Sequence, residues 1–311
     1  MTRAIAHPNI ALIKYWGKQE RAGNLPATPS LSITLDKLET VTELQDADKD
    51  TFVINGAERE DAKVSGFLQR LRQQFDVPPL LIQTQNNFPT GAGLASSASG
   101  FAALMCAINE HASLRLNPEY MSEWARQGSA SAARSHFGGF VSLVPPIWRA
   151  QPAAPASHWD IRTLIAITDT SPKSVSSTSG MNRSRETSPY YNAWVRSSGE
   201  DFTNASDALS RRDFTALGAA TELSCLKMHS VMLTSVPTLA YWNETTLRCM
   251  NTVRALRADD VESYFTIDAG PQLKAICEPR HEDDVASALL EVEGVLDVLR
   301  CGLGEGARIS S

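Results

Sequence analysis

The segment Pro89-Thr-Gly-Ala-Gly-Leu-Ala-Ser-Ser-Ala-Ser99 constrains this chain more than any other. Before it, Leu80 to Gln85 alternates as a strand does; after it, Phe101, Leu104, Met105 and Ile108 recur at helical spacing. A strand therefore enters a glycine- and serine-rich turn and an amphipathic helix leaves it. Gly91 and Gly93 allow close backbone approach to a ligand, and Ser96 and Ser97 stand where the helix begins. Unpaired N–H groups and the positive end of the helix dipole make such a place a cradle for phosphate. A turn that merely caps a helix would show the same glycine spacing. A Walker loop is excluded, since no Lys-Ser/Thr follows the glycines.

Short strands dominate the first third of the chain. Leu31 to Asp36 and Thr40 to Gln45 flank Lys37-Leu38-Glu39 and are expected to pair as a hairpin. A helix is predicted from Pro118 to Ala133, then an extended run from Phe137 to Val144. Pro145 to Ser157, rich in Pro and Ala, reads as a surface loop, and Ile161 to Thr168 as one more strand of the same unit. The Ser/Thr-rich Lys173 to Ser179 is the better boundary. It divides the chain into residues 1–175 and 176–311. Helical stretches follow to Arg257, then strands at Tyr264 to Asp268 and Leu273 to Cys277. A helix through Val285, Ala288, Leu289 and Val292 and a strand from Val295 to Arg300 close the chain. Strands and helices without regular alternation indicate an α+β fold.

A net charge of -6 over 311 residues argues against a general nucleic-acid binder, while leaving room for a local basic pocket. The five cysteines lack metal-site spacing and read as buried thiols of a reducing compartment. Met1 to His7 lacks the apolar stretch of a signal peptide, and no run approaches the ~18 apolar residues of a membrane span. A cytoplasmic protein is expected.

Three further segments carry chemistry. In Pro8-Asn-Ile-Ala-Leu-Ile-Lys-Tyr-Trp-Gly-Lys18, Lys14 and Lys18 flank an aromatic pair and suit a ligand with several negative charges; a solvated lysine pair is the plainer alternative. Gly128-Ser-Ala-Ser-Ala-Ala-Arg-Ser-His-Phe-Gly-Gly139 gathers Ser129, Ser131 and Arg134 into an oxyanion-binding cluster, unless the arginine only pairs with a nearby acid. Tyr264-Phe-Thr-Ile-Asp-Ala-Gly-Pro271 sets Asp268 at a strand end before a turn, where a lone Asp is commonly a cap.

Together these strings resemble a known family. The pattern P-x3-G-L-x-S-S-A resembles the phosphate loop of the GHMP kinase superfamily. Asn9-Ile-Ala-x-x-Lys-Tyr-Trp-Gly-Lys18, the Ser129/Ser131/Arg134 cluster and Asp268-Ala-Gly-Pro271 resemble, in family order, the signatures of the diphosphomevalonate decarboxylases within it. Val175-Ser-Ser-Thr-Ser-Gly-Met181 resembles the family's substrate-side segment, and Lys173 a loop lysine that closes over the nucleotide. His229, in Leu226-Lys-Met-His-Ser230, is taken as structural. Ala130, Gln272, Ser224 and Thr28-Pro29 depart from the family pattern, and Gly302-Leu-Gly-Glu-Gly306 matches loosely.

The resemblance implies a two-domain GHMP kinase fold. Its N-terminal domain would be ribosomal S5 domain 2-like, its C-terminal domain ferredoxin-like, with the site in the cleft and a homodimer as the common assembly. It implies ATP as co-substrate, Mg2+, and conversion of (R)-5-diphosphomevalonate to isopentenyl diphosphate, ADP, phosphate and CO2 in the mevalonate route of isoprenoid biosynthesis. The sibling possibilities are decarboxylation of 5-phosphomevalonate, or a mevalonate 3-kinase of the same fold. By the same resemblance Asp268 would orient or deprotonate the C3 hydroxyl, with Lys14 keeping it ionised. Arg134 with Asn9 would hold the substrate carboxylate, Tyr15, Lys18, Ser129 and Ser131 the diphosphate, and Met181 would line the substrate side. Gly91, Gly93, Leu94, Ala95, Ser96 and Ser97 would hold ATP phosphates, with Ser97 also a ligand of Mg2+.

Overall fold

The structure, a computed structural model, describes residues 1–89, 93–171 and 174–310. The first half of the chain runs β1 (Thr2–Ala6), β2 (Asn9–Ile13), β3 (Ser30–Thr34), β4 (Thr40–Asp46), β5 (Thr51–Ile54), β6 (Ala57–Glu58), α1 (Ala62–Arg72), β7 (Leu80–Asn86), α2 (Ser96–His111), α3 (Pro118–Gly128), β8 (Phe140–Leu143), β9 (Ala150–Ala154) and β10 (Arg162–Ile167). Then follow α4 (Ser177–Thr187), α5 (Tyr191–Arg211), α6 (Phe214–Leu233), α7 (Glu244–Ala258), β11 (Ser263–Ile267), β12 (Leu273–Cys277), α8 (Glu282–Leu290), β13 (Asp297–Cys301) and β14 (Arg308–Ile309). Strands and helices are mixed, as an α+β fold requires.

The described strands form sheets in the orders β14-β1-β4-β7-β5-β6, β2-β3-β8-β9 and β11-β12-β10-β13. α2 lies on the first sheet, where Phe101, Leu104, Met105 and Ile108 join Phe67, Leu68 and Leu71 of α1 in one core. The second sheet is buried through its β2–β3 half: every residue of those two strands is buried, and α5 and α6 pack against them. α7 and α8 pack on the third sheet around Val253, Phe265, Val285 and Leu289.

Local chemistry sets the helix starts. The Asp61 carboxylate accepts from the N–H groups of Lys63 and Val64, and Asn117 accepts from Tyr120, ahead of Pro118 in the first turn of α3. α2 is different. Its preceding residue, Ala95, is left-handed (φ 57°, ψ 30°) and makes no side-chain cap, unlike Asp61 and Asn117.

Four expectations are corrected. β3 and β4 exist but do not form a hairpin: β3 pairs with β2 and β8, β4 with β1 and β7. The short link fits either arrangement, but here Leu38 is buried and Asp36 accepts from the Gly302 N–H at 2.8 Å, so the link crosses between sheets. The helix expected to reach Ala133 ends at Gly128. Ser129 is extended (φ -149°, ψ 123°) and a 3₁₀ turn, Ala130–His136, follows. A Cβ on Gly128 would lie 2.2 Å from the Phe101 ring, so only glycine lets α3 end against α2. The expected loop over 145–157 contains β9, paired with β8. β10 joins β12 and β13 rather than any strand of the first two sheets.

Candidate active site

A cleft of about 280 Å3 opens where β2, the turn after β11, the 3₁₀ turn and the N-terminus of α2 converge. Asn9, Lys14, Tyr15, Lys18, Gly93, Ala95, Ser96, Ser97, Ser129, Ser131, Arg134, Met181 and Asp268 all line it, although they lie up to hundreds of positions apart in the chain. Leu94 does not line it: its side chain is buried in the core with Phe88 and Ile165. Gly91 and Lys173 lie outside the described residues.

Asp268 is the chemical centre. It follows β11 directly, and β2 brings Lys14 beside it. The Lys14 ammonium donates to Asp268 Oδ1 at 2.5 Å, and the Lys274 ammonium lies 3.2 Å from Oδ2. Both lysine side chains are 1% exposed. Burial alone would push the Asp268 carboxyl up; the two ammoniums outweigh it and hold the group well below the usual carboxylate range. Burial, only partly offset by Asp268, pulls Lys274 down. The carboxylate is therefore fully ionised.

Arg134 is buried with its Nε donating to Asn9 Oδ1 at 3.0 Å and one terminal nitrogen donating to Ser30 Oγ at 2.7 Å. Desolvation lowers it to about 10, against the pull of Asp268, which leaves it charged at neutral pH. Ser129 Oγ bridges the two loops, 3.3 Å from Ser97 Oγ and 3.2 Å from Ser131 Oγ. Lys18, which donates to Thr178 Oγ1 at 3.2 Å, is lowered to about 8 by burial and by neighbouring Lys63. The Tyr15 hydroxyl is buried without a hydrogen-bond partner among the described residues, and burial pushes it far above the ordinary tyrosine range.

The KYWG segment is clamped from the other half of the chain. Trp16 Nε1 donates to Ser184 Oγ at 2.9 Å, and Trp194 Nε1 donates to the Trp16 carbonyl at 2.9 Å. Gly17 has φ +112°, and a Cβ there would lie 2.1 Å from the Tyr191 hydroxyl oxygen. His229 sits beneath the site, its Nε2 3.1 Å from the Ile267 carbonyl and its ring against Trp242; burial holds it down to about 3, neutral, as a structural residue would be.

A second cleft, about 520 Å3, adjoins the first and shares Lys63, Ser96 and Ser97 with it; Phe52, Asn55, Thr84, Asn86 and Phe101 are among its other walls. Lys63, on α1, had no motif to mark it. Lys274 had a readable signal, a lysine inside the apolar strand Leu273-Lys-Ala-Ile-Cys277. Among the described residues no group of three or more His, Cys, Asp or Glu is placed to hold a metal. The hydroxyls of Ser96 and Ser97 at a helix start suit a magnesium ion that takes most of its ligands from phosphate and water.

The family model described as the diphosphomevalonate decarboxylase-like N-terminal domain matches residues 6–145, and that of the mevalonate 5-diphosphate decarboxylase C-terminal domain matches residues 163–298. The diphosphomevalonate decarboxylase of Candida albicans is 32% identical over 97% of this chain and 96% of its own length. The human enzyme is 33% identical over 85% of this chain and 73% of its own. Among solved structures, mevalonate diphosphate decarboxylase from Staphylococcus aureus superposes with a TM-score of 0.93 at 33% identity, covering 100% of this chain and 98% of that one. A complex of MDDEF with MVAPP, AMPPCP and magnesium gives 0.92 at 37% identity, with the same coverage. The chain belongs to the diphosphomevalonate decarboxylase family, in the GHMP kinase superfamily.

Proposed function

We propose that this chain catalyses the ATP-dependent decarboxylation of (R)-5-diphosphomevalonate to isopentenyl diphosphate, with release of ADP, phosphate and CO2. The observation that carries this reading is the ionised Asp268 carboxylate held by Lys14 and Lys274 in a cleft otherwise lined by cations and hydroxyls. A tertiary hydroxyl is a poor leaving group. Asp268 Oδ1 orients it or accepts its proton as the γ-phosphoryl group is transferred to the oxygen. Departure of that phosphate from C3 then lets the carboxylate C–C bond supply the electron pair of the new double bond, and CO2 leaves. No external electron sink is needed.

Arg134, aimed by Asn9, holds the substrate carboxylate; Tyr15, Lys18, Ser129 and Ser131 hold the diphosphate. Gly93, Ala95, Ser96 and Ser97 receive the ATP phosphates, and the adjoining cleft takes the nucleoside. Gly91 and Lys173 complete that set by resemblance. Ser97 would be the protein ligand of Mg2+, which when bound would supply charge neutralisation to the phosphates. The surroundings of the transfer are mostly positioning and charge, which is what phosphoryl transfer asks of a protein.

Thr28, a departure from the family pattern, does not line the cleft and is fully buried, so it gives no support to a monophosphate substrate. A cytoplasmic homodimer is part of the proposal. All five cysteines are free and buried, in keeping with a reducing compartment, and no described helix is long and apolar enough to cross a membrane. The deciding experiment supplies purified protein with ATP, Mg2+ and each mevalonate phosphate in turn. Equal release of ADP and CO2 with the diphosphate is expected. ADP without CO2, or better turnover of the monophosphate, overturns the assignment.

A further inference from the structure

Lys274 has no task in the reaction as described, yet its ammonium touches both halves of the site. It lies 3.2 Å from Asp268 Oδ2 and donates to the Gly93 carbonyl at 3.1 Å. Gly93 belongs to the loop entering α2; Asp268 ends β11. Those two segments face different reactants. They are also in direct backbone contact, since a Cβ on Gly93 would lie 3.0 Å from Gly270 Cα. The carboxylate is loaded unevenly. Oδ2 is buried, ion-paired with Lys274 but with no hydrogen bond among the described residues, while Oδ1, to which Lys14 donates, is the oxygen left to the cleft.

We propose that Lys274 is a positioning residue that ties the phosphate loop to the working carboxylate, so that one ammonium sets both nucleotide binding and the orientation of Asp268. This rests on the reading that Asp268 serves phosphoryl transfer. The ammonium is hydrogen-bonded to the loop and ion-paired with the carboxylate, so a shift of the loop moves the carboxylate and the reverse. Two buried cations on one anion are more than charge neutrality needs, and the second is placed where it can join the segments. Removing Lys274 leaves a neutral Lys14–Asp268 pair, so the variant is not left with an unpaired buried charge.

The test uses the full chain with Lys274→Met, which keeps the stem's bulk. The expected result is a kcat lower by about thirtyfold or more and an ATP KM higher by about fivefold, with the diphosphomevalonate KM within about threefold. A residue that only fills space would alter both KM values alike or neither. On an Asp268→Asn background the same substitution should add little further loss of kcat, because the group it orients is gone. It should still weaken MgADP binding, measured by calorimetry. Lys274→Gln retains a donor without the charge and should recover part of the MgADP affinity; it also serves if the Met variant fails to fold. Unchanged MgADP affinity in both variants, or an equal kcat loss with and without Asp268, overturns the proposal. The calorimetric arm stands apart from decarboxylation, so it separates a failure of this inference from a failure of the assigned reaction.

Discussion

Asn9 and Arg134 act as one unit: Asn9 Oδ1 accepts from Arg134 Nε at 3.0 Å, while the Asn9 amide donates to the Ser131 carbonyl at 3.0 Å and to Ser135 Oγ at 2.8 Å. Every hydrogen-bonding site that matters on Asn9 is thus spent on the protein. Its role is to aim the guanidinium and pin the 3₁₀ turn, rather than to touch a ligand by itself. Asn9→Ala should therefore lower kcat/KM by about tenfold to a hundredfold, roughly 1.4 to 2.7 kcal/mol, mainly through KM. Asn9→Asp should be worse, because its carboxylate competes with an anionic ligand for Arg134. Steady-state kinetics on both variants check the order; equal or normal activity in the two would remove Asn9 from the positioning of Arg134.

Asp268→Asn is expected to lose several orders of magnitude in turnover. It should also melt earlier than wild type, since two lysines at 1% exposure are left without a counter-charge. Breaking such a buried pair costs about 3–5 kcal/mol. The sign with pH follows from the depressed carboxyl. Its stabilisation is fully present above the unfolded pKa of about 3.9 and is lost as pH falls from there through the folded value. The gap in melting temperature between wild type and variant should therefore be widest near neutrality and close only in strong acid. A gap that is constant from pH 7 to strong acid would show that ionised Asp268 is not what stabilises the site.

Gly93 is constrained on its own account. Its φ is +82°, and the contact with Gly270 leaves no ordinary room for a side chain. Gly93→Val should weaken ATP use more than Ser97→Ala, because it displaces the loop from the Asp268 turn, whereas the serine substitution removes one hydroxyl. In both, ATP KM or kcat should change by more than about threefold, roughly 0.7 kcal/mol. If neither does, the loop is only a turn.

The site was largely legible in the sequence because its chemistry is written in short contiguous strings. Asn9 to Lys18, Ser129 to Arg134 and Asp268 each announce charge or hydroxyls beside glycine or a strand end, and the fold gathers them into one cleft. What escaped has a physical cause. Strand pairing is non-local, so the alternation of β3 and β4 marked two strands without saying that they belong to different sheets. β9 was hidden by its Pro/Ala composition, and β14 by its brevity beside β1. The end of α3 was set by the Phe101 ring against Gly128, a contact with no sequence period. Leu94 sits inside the phosphate-loop string yet turns into the core, since a motif constrains the backbone more than each side chain.

The last prediction concerns Lys18. Burial and Lys63 lower it to about 8, so at pH 7 it is mostly charged but loses its charge within the range above pH 8. A diphosphate placed beside it favours the ammonium and raises its pKa. Binding is then linked to protonation. Below pH 8 the lysine already carries its proton and affinity through it does not change. Above pH 8 a proton must be taken up on binding, and affinity falls by as much as about tenfold per unit until the bound pKa is reached. The diphosphomevalonate KM should therefore be flat from pH 6.5 to about 7.5 in this contribution and rise beyond pH 8, without a matching fall in kcat at saturation. Lys18→Met keeps the stem's bulk and removes the titrating group. Its KM should be higher at pH 7 and should lack the rise above pH 8. Thr178, which accepts from the lysine at 3.2 Å, offers the internal control: Thr178→Val leaves the charge in place and should keep the rise. A KM rise of equal size in the Lys18→Met variant would assign the titration to another group and take the diphosphate away from Lys18.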